Sequence, residues 1–139
     1  MAMMGNVICK AVLNPPAWKK PRGYSHLVKT TGGTVLFAAG QGAFDAQGNL
    51  IGEGDICRQY EQILANIQEV MAVGDAKMTD IVRLTIYCTD RDAFFAKGRE
   101  CGQIYKKYFG DYSPASTLVE IKRLFSDGML LEIEATAVI

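Results

Sequence analysis

Few residues of this chain are of types that do chemistry, and their spacing narrows what that chemistry can be. His26 is the single histidine, which removes the imidazole supply that zinc hydrolases draw on. Ser25 and His26 are neighbours in a β-leaning run, so their side chains project to opposite faces and form no nucleophile–base couple. His26 therefore reads as a packing or hydrogen-bonding residue. Cys9, Cys57, Cys88 and Cys101 are separated by 48, 31 and 13 residues. That is wider than a zinc knuckle or a redox motif, and the four read as free thiols in a reducing compartment. Gly40-Gln41-Gly42 lacks the lysine of a phosphate loop and no helix follows at once, so a tight turn is the better reading. Glu132 and Glu134 stand two apart on one strand face, roughly 7 Å between positions. Paired carboxylates can divide acid and base work, although such residues alternating with apolar ones are more often a solvated strand face.

The elements that must hold these residues follow from periodicity. Asn14–Pro21 contains three prolines and closes residues 1–20 as an extended lead-in. His26–Thr30 and Thr34–Ala39 are β-leaning runs around Thr31-Gly32-Gly33, a hairpin signal. A glycine-rich loop spans Asp45–Gly54. Asp55 is placed to cap a helix in which Ile56, Tyr60, Ile63, Leu64, Ile67, Val70 and Met71 recur at steps of three and four, with Gly74 as the C′ residue. Arg58, Glu61, Gln62, Asn66 and Glu69 form its wet face. Ile81–Cys88 alternates as a strand. Thr89 with Asp92 opens a second helix, roughly Arg91–Tyr108, which Gly98 and Gly102 weaken by about 1 kcal/mol each. A strand from Ser116 to Arg123, a turn at Asp127-Gly128 and a strand over Met129–Ile139 complete the order β-β-α-β-α-β-β, with room for one more strand at the N-terminus. Two helices cover one face of such a sheet, leaving the other for a partner subunit. In the last strand Leu131, Ile133, Ala135, Ala137 and Ile139 form one face, and Leu130, Glu132, Glu134, Thr136 and Val138 a half-polar second one.

Composition sets the outer bounds. The 139 residues make one domain, 49% apolar and 22% charged, long enough to bury roughly 68% of the unfolded surface without a metal or disulfide staple. Fifteen basic residues balance fifteen acidic ones, which speaks against a nucleic-acid partner and makes self-association electrostatically cheap. No run reaches the ~20 apolar residues of a membrane span or resembles a secretory leader, so the expected setting is cytoplasmic, without a membrane partner.

Four stretches read together carry a family resemblance: Arg22-Gly23-Tyr24-Ser25-His26, Phe37-Ala38-Ala39-Gly40-Gln41, Pro114-Ala115-Ser116-Thr117-Leu118-Val119-Glu120-Ile121 and Leu131-Glu132-Ile133-Glu134-Ala135-Thr136-Ala137-Val138. In this order, over about residues 21–139, the chain resembles the RidA family of reactive-intermediate deaminases, also labelled endoribonuclease L-PSP-like. The resemblance implies an α+β, chorismate-mutase-like fold with one mixed sheet backed by two helices. It also implies a barrel-like homotrimer with a ligand cleft at each subunit interface. Family enzymes hydrolyse enamine and imine acids such as 2-aminoacrylate to 2-oxo acids and ammonia, without metal or organic cofactor. By the same resemblance Glu132 positions the attacking water, and Tyr24, Gly40, Gln41, Ser116 and Thr117 line the substrate site. Ala39 stands where many members have serine, and Leu118 where many have a small or thiol residue. Ser116 stands where the family's carboxylate-holding arginine is expected, so the chain is placed in an arginine-less subgroup. Lys122, six strand residues on, is about 20 Å away; Arg22, in a loop, is the nearer substitute.

Three functions follow. The first is a hydrolase of an imine, enamine or related small molecule, using Glu132 and a water. The second is a trimer that binds a small metabolite without chemistry. The third, ribonuclease action, is opposed by the zero net charge and the lack of a basic-aromatic stripe.

Overall fold

The computed structural model describes residues 8–139, so the first seven residues of the expected lead-in lie outside the described residues. The rest of that segment is more than a lead-in. Cys9–Leu13 is a strand, β1, antiparallel to β2, Leu27–Thr31. Between them the Trp18 amide donates to the Pro15 carbonyl and closes a turn.

The expected hairpin does not form a ladder: β2 pairs with β1, and β3 (Val35–Gln41) joins a different sheet. Gly32 and Gly33 have φ of 74° and 89°, conformations open to glycine, and they turn the chain out of the first ladder. Thr34 then exchanges both backbone hydrogen bonds with Ile139, at 2.6 and 3.0 Å. A Cβ at Gly33 would overlap the Ile139 carbonyl, so the close approach also needs glycine. The main sheet has strand order β3-β6-β4-β5, where β4 is Ile81–Cys88, β5 Ala115–Glu120 and β6 Leu131–Val138. β4 and β5 run parallel and the other pairs antiparallel. The sheet is therefore mixed, with the β1–β2 ribbon apart from it.

The first helix, α1, spans Ile56–Val73, and the Asp55 carboxylate accepts from the Arg58 amide as its N-cap. At its C-terminus the left-handed residue is Asp75, with φ 62°, not Gly74. The Ala76 amide reaches back to the Met71 carbonyl, a Schellman closure. Gly74 has another effect: it lets Leu36 of β3 pack close, where a Cβ would push that side chain aside. Ile63, Leu64, Ile67 and Met71 are buried as the periodicity predicts, but Val70 is exposed. The supposed wet face is also less wet than expected, since Asn66 is half-buried and donates to the Gly42 and Phe44 carbonyls.

The second helical region is two helices, α2 (Arg91–Ala96) and α3 (Gly98–Phe109), broken at Lys97. Its cap is Asp90, not Thr89: the Asp90 carboxylate accepts from the Ala93 amide. α3 is tied to α1 where Lys107 and Tyr108 both donate to Glu61, at 2.6 and 3.0 Å. The fifth strand ends at Glu120, leaving Lys122 outside it. Leu84, Leu131, Ile133 and Ala135 form the buried face of the sheet. The other face is bare, with Phe37 82% exposed and Val35 and Val119 also open.

Candidate functional site

Register decides which side chains meet on the bare face. Tyr87 of β4 pairs with Glu132 of β6 and Val119 of β5, and Thr85 pairs with Glu134 and Thr117. Glu132 and Tyr87 thus stand side by side in a row that ends on Val119, and Glu134, Thr85 and Thr117 form a polar row across β6, β4 and β5. At the end of the first row Glu132, Glu134, Tyr87, Arg123 and Gly40 line a cleft of about 340 Å³. The Tyr87 hydroxyl donates to Glu134 at 3.3 Å, and that carboxylate, with burial and Glu132 adding to it, pushes the phenol above its ordinary value. Tyr87 therefore stays protonated near neutrality and offers a donor beside the two glutamates.

Gly40 is not in a tight turn. It belongs to β3, where the register with β6 slips between Ala38 and Gln41, a bulge. The bulge brings the Gly40 backbone against Glu132 so closely that a Cβ would overlap the carboxylate. That contact fixes one side of the Glu132 side chain. Gln41 does not enter the cleft: it pairs with buried Ile133, and its amide donates to the Ala39 carbonyl at 3.1 Å.

The remaining expected site residues lie elsewhere in the chain. Ser116 pairs through Leu84 with Ala135, so it faces the helices, opposite to Glu132 and three residues away along β6. That is roughly 10 Å along the strands and roughly 10 Å across them. Thr117 is on the bare face, in the row of Glu134. Tyr24 sits near the start of β5, where Ser25 bridges Ala115 and its amide donates to the Pro114 carbonyl. Its ring meets His26 edge-on at 5.2 Å, and His26 meets Trp18 at 5.1 Å, the packing role expected of the histidine. Arg22 lines a cavity on the helix side together with Ser116, not the Glu132 cleft. The cation that shares the cleft with Glu132 is Arg123.

Tyr87 and Arg123 are the site residues that sequence reasoning missed. The signal for Tyr87 was its place on the outward side of an alternating strand, but the register with Glu132 was needed to use it. Sequence spacing also concealed a thiol pair. Cys57 and Cys101, 44 residues apart, bring their sulfurs to 2.9 Å. Burial pushes both thiols up, which keeps them protonated and inert. Among the described residues no cluster of three His, Cys, Asp or Glu is arranged to hold a metal ion, and no helix is long and apolar enough to cross a membrane.

The sequence and the fold have counterparts in known proteins. The endoribonuclease L-PSP family profile matches residues 16–139. A RutC family protein of Pyrococcus horikoshii is 37% identical over 119 residues, covering 85% of this chain and 89% of the relative. Among solved structures, the Rid-family protein YyfB from Yersinia pestis superposes with a TM-score of 0.85 at 36% identity, covering 94% of this chain and 98% of that one. A member of the YjgF/YER057c/UK114 family from Mycobacterium tuberculosis gives 0.62 at 32% identity, covering 84% and 87%.

Proposed function

The chain belongs to the endoribonuclease L-PSP family, the RidA/YjgF/RutC group, and from that footing we propose that it hydrolyses an enamine or imine metabolite in the Glu132 cleft. The observation that carries the reading is the Glu132 carboxylate pressed against the Gly40 backbone in a cleft with Tyr87 and Arg123. The expected step is simple. An enamine tautomerises to its imine, water adds to the imine carbon while Glu132 takes the water proton, and the proton returns to nitrogen. The carbinolamine then loses ammonia and leaves the oxo product, so one water is consumed and one ammonia released. The imine carbon is already electrophilic, so a placed water matters more than a strong base.

Ser116 does not supply the anchoring charge, and it faces away from this cleft. In this reading Arg123 meets an anionic group of the substrate. Arg123→Gln is expected to raise KM for a carboxylate-bearing imine about tenfold, with kcat little changed, as loss of one charge-assisted contact does. Steady-state ammonia release measures it. An unchanged KM would remove Arg123 from the reading.

Gly40→Ala tests the contact itself. The atoms its Cβ would meet are the mobile end of Glu132, so the melting temperature is expected to stay within a few degrees. Turnover is expected to drop at least about tenfold, because the carboxylate is displaced from the water. Full activity with an intact melt would show that the placement of Glu132 is irrelevant.

Assembly belongs to the same proposal. The bare sheet face, with exposed Phe37 and Val35, is too apolar to stay uncovered, and a homotrimer joined through it would bring Tyr24 and Thr117 of one copy toward the Glu132 cleft of another. Light scattering is expected to give three times the 15.2 kDa chain mass; a monomer at micromolar concentration would refute the shared cleft. Ligand binding without ammonia release from any imine would instead favour the metabolite-binding reading, to which Ser116 in place of arginine points.

A further inference from the structure

We propose that Cys57 and Cys101 form a reversible oxidative cross-link, a disulfide made by peroxide and undone by a dithiol, that fastens α1 to α3. Cys57 is the second residue of α1 and Cys101 the fourth of α3. They are 44 residues apart in sequence, and their sulfurs are in direct contact at 2.9 Å. Both side chains are buried, 3% and 4% exposed, so the contact belongs to the packing of the two helices and is not a meeting of surface groups. Further along the same helices Glu61 accepts from Lys107 and Tyr108, which holds α1 and α3 in the register that opposes the two thiols.

Bond formation requires the sulfurs to draw closer than contact, and α3 is the element free to move. The chain breaks between α2 and α3 at Lys97, and that residue gives α3 no side-chain cap. Gly98 and Gly102 stand on either side of Cys101, and even a Cβ added at either would meet nothing within 4 Å. No side chain at those positions ties the first turn of α3 to its surroundings.

Access and order follow from the same placement. Cys101 lines a cavity of about 490 Å³ beside α3, and Cys57 does not. Hydrogen peroxide is small enough to enter and reaches the Cys101 sulfur first. One peroxide oxygen is transferred to that thiol, giving a sulfenic acid and a water. The Cys57 sulfur then displaces the hydroxyl, which leaves with the Cys57 proton as a second water. The two thiols are oxidised by two electrons and the peroxide is reduced by two. A dithiol reverses the change by returning two hydrogens and becoming a disulfide itself. Burial raises both thiols, and the carboxylates of Glu100 and Asp55 add to it. The pair therefore rests protonated and reacts over hours, answering sustained oxidation and not a brief pulse.

Intact mass, peptide mapping and thermal melting of the full chain carrying Cys9→Ser test the cross-link, since Cys9 is exposed and would join copies. After hours in millimolar hydrogen peroxide the mass is expected to fall by two hydrogens, and the map to show Cys57 joined to Cys101. Closing a loop of this length is expected to raise Tm by about 10 °C, and dithiothreitol to reverse every change. In Cys57→Ser the sulfenic acid has no partner, so dimedone is expected to label Cys101. In Cys101→Ser it is expected to leave Cys57 unlabelled; label on Cys57 would overturn the route through Cys101. A bond that leaves Tm unchanged would show that it fastens nothing. If either serine variant fails to fold, the map of the Cys9→Ser chain still decides: Cys57 and Cys101 both free, or Cys88 in the bond, would reject the proposal.

Discussion

Replacing Glu132 by glutamine is expected to lower imine turnover by about 10²–10⁴-fold while the protein stays folded and assembled. Glu132 is half-buried on the bare sheet face, so glutamine fits the same space and keeps a hydrogen-bond acceptor. What it loses is the ability to take the water proton as attack proceeds. The neighbouring change, Glu134→Gln, is expected to cost far less. Glu134 accepts from Tyr87 at 3.3 Å, a contact that an amide oxygen can keep, and the Gly40 backbone presses on Glu132, not on Glu134. Ammonia release from a set of freshly generated imines, followed for both variants, separates the two carboxylates. Equal losses would make the pair a shared electrostatic feature, and no loss in Glu132→Gln would end the hydrolytic mechanism proposed for this residue.

The largest effect on stability is expected from a residue with no part in the chemistry. Gln59 of α1 is fully buried. Its amide nitrogen donates to the Gly52 and Gly128 carbonyls at 3.1 and 2.9 Å, and its oxygen accepts from the Leu130 amide at 2.8 Å. One side chain thus ties the loop before α1, the turn before β6 and the entry to β6 itself. Gln59→Leu keeps the volume but leaves three backbone groups without partners. Each such loss costs about 1–3 kcal/mol where water cannot replace it. Partial exposure of the loop lowers the total, and about 3 kcal/mol is expected, near a 10 °C fall in Tm. Because Leu130 precedes Glu132 by two residues, imine turnover is expected to drop in the folded variant as well. Denaturant melts read the first effect and turnover below the melt reads the second. A loss under 1 kcal/mol would mean that water replaces the amide at all three contacts.

Local pattern alone was enough for α1, with its Asp55 cap, and for β4 over Ile81–Cys88. It also separated the inward Leu131, Ile133, Ala135 and Ala137 from Glu132 and Glu134. A period of 3.6 or 2 is written residue by residue, and a cap needs partners only three positions away. The family was equally legible, because its motif segments stand in order along the chain. The placement of the candidate site was not. Tyr87 comes beside Glu132 only through the pairing of β4 with β6, and Ser116 is turned from Glu132 by the parity of its register with Leu84. A shift of one residue in either ladder would reverse that outcome, and no local signal fixes it. Nothing local marks Gln59 as a buried tie, since Gly52, Gly128 and Leu130 close around it only in the folded chain. The β2–β3 hairpin failed for the same kind of reason. Glycines at 32 and 33 permit a turn, but the partners on each side, β1 for one strand and β6 for the other, are chosen by contacts far along the chain.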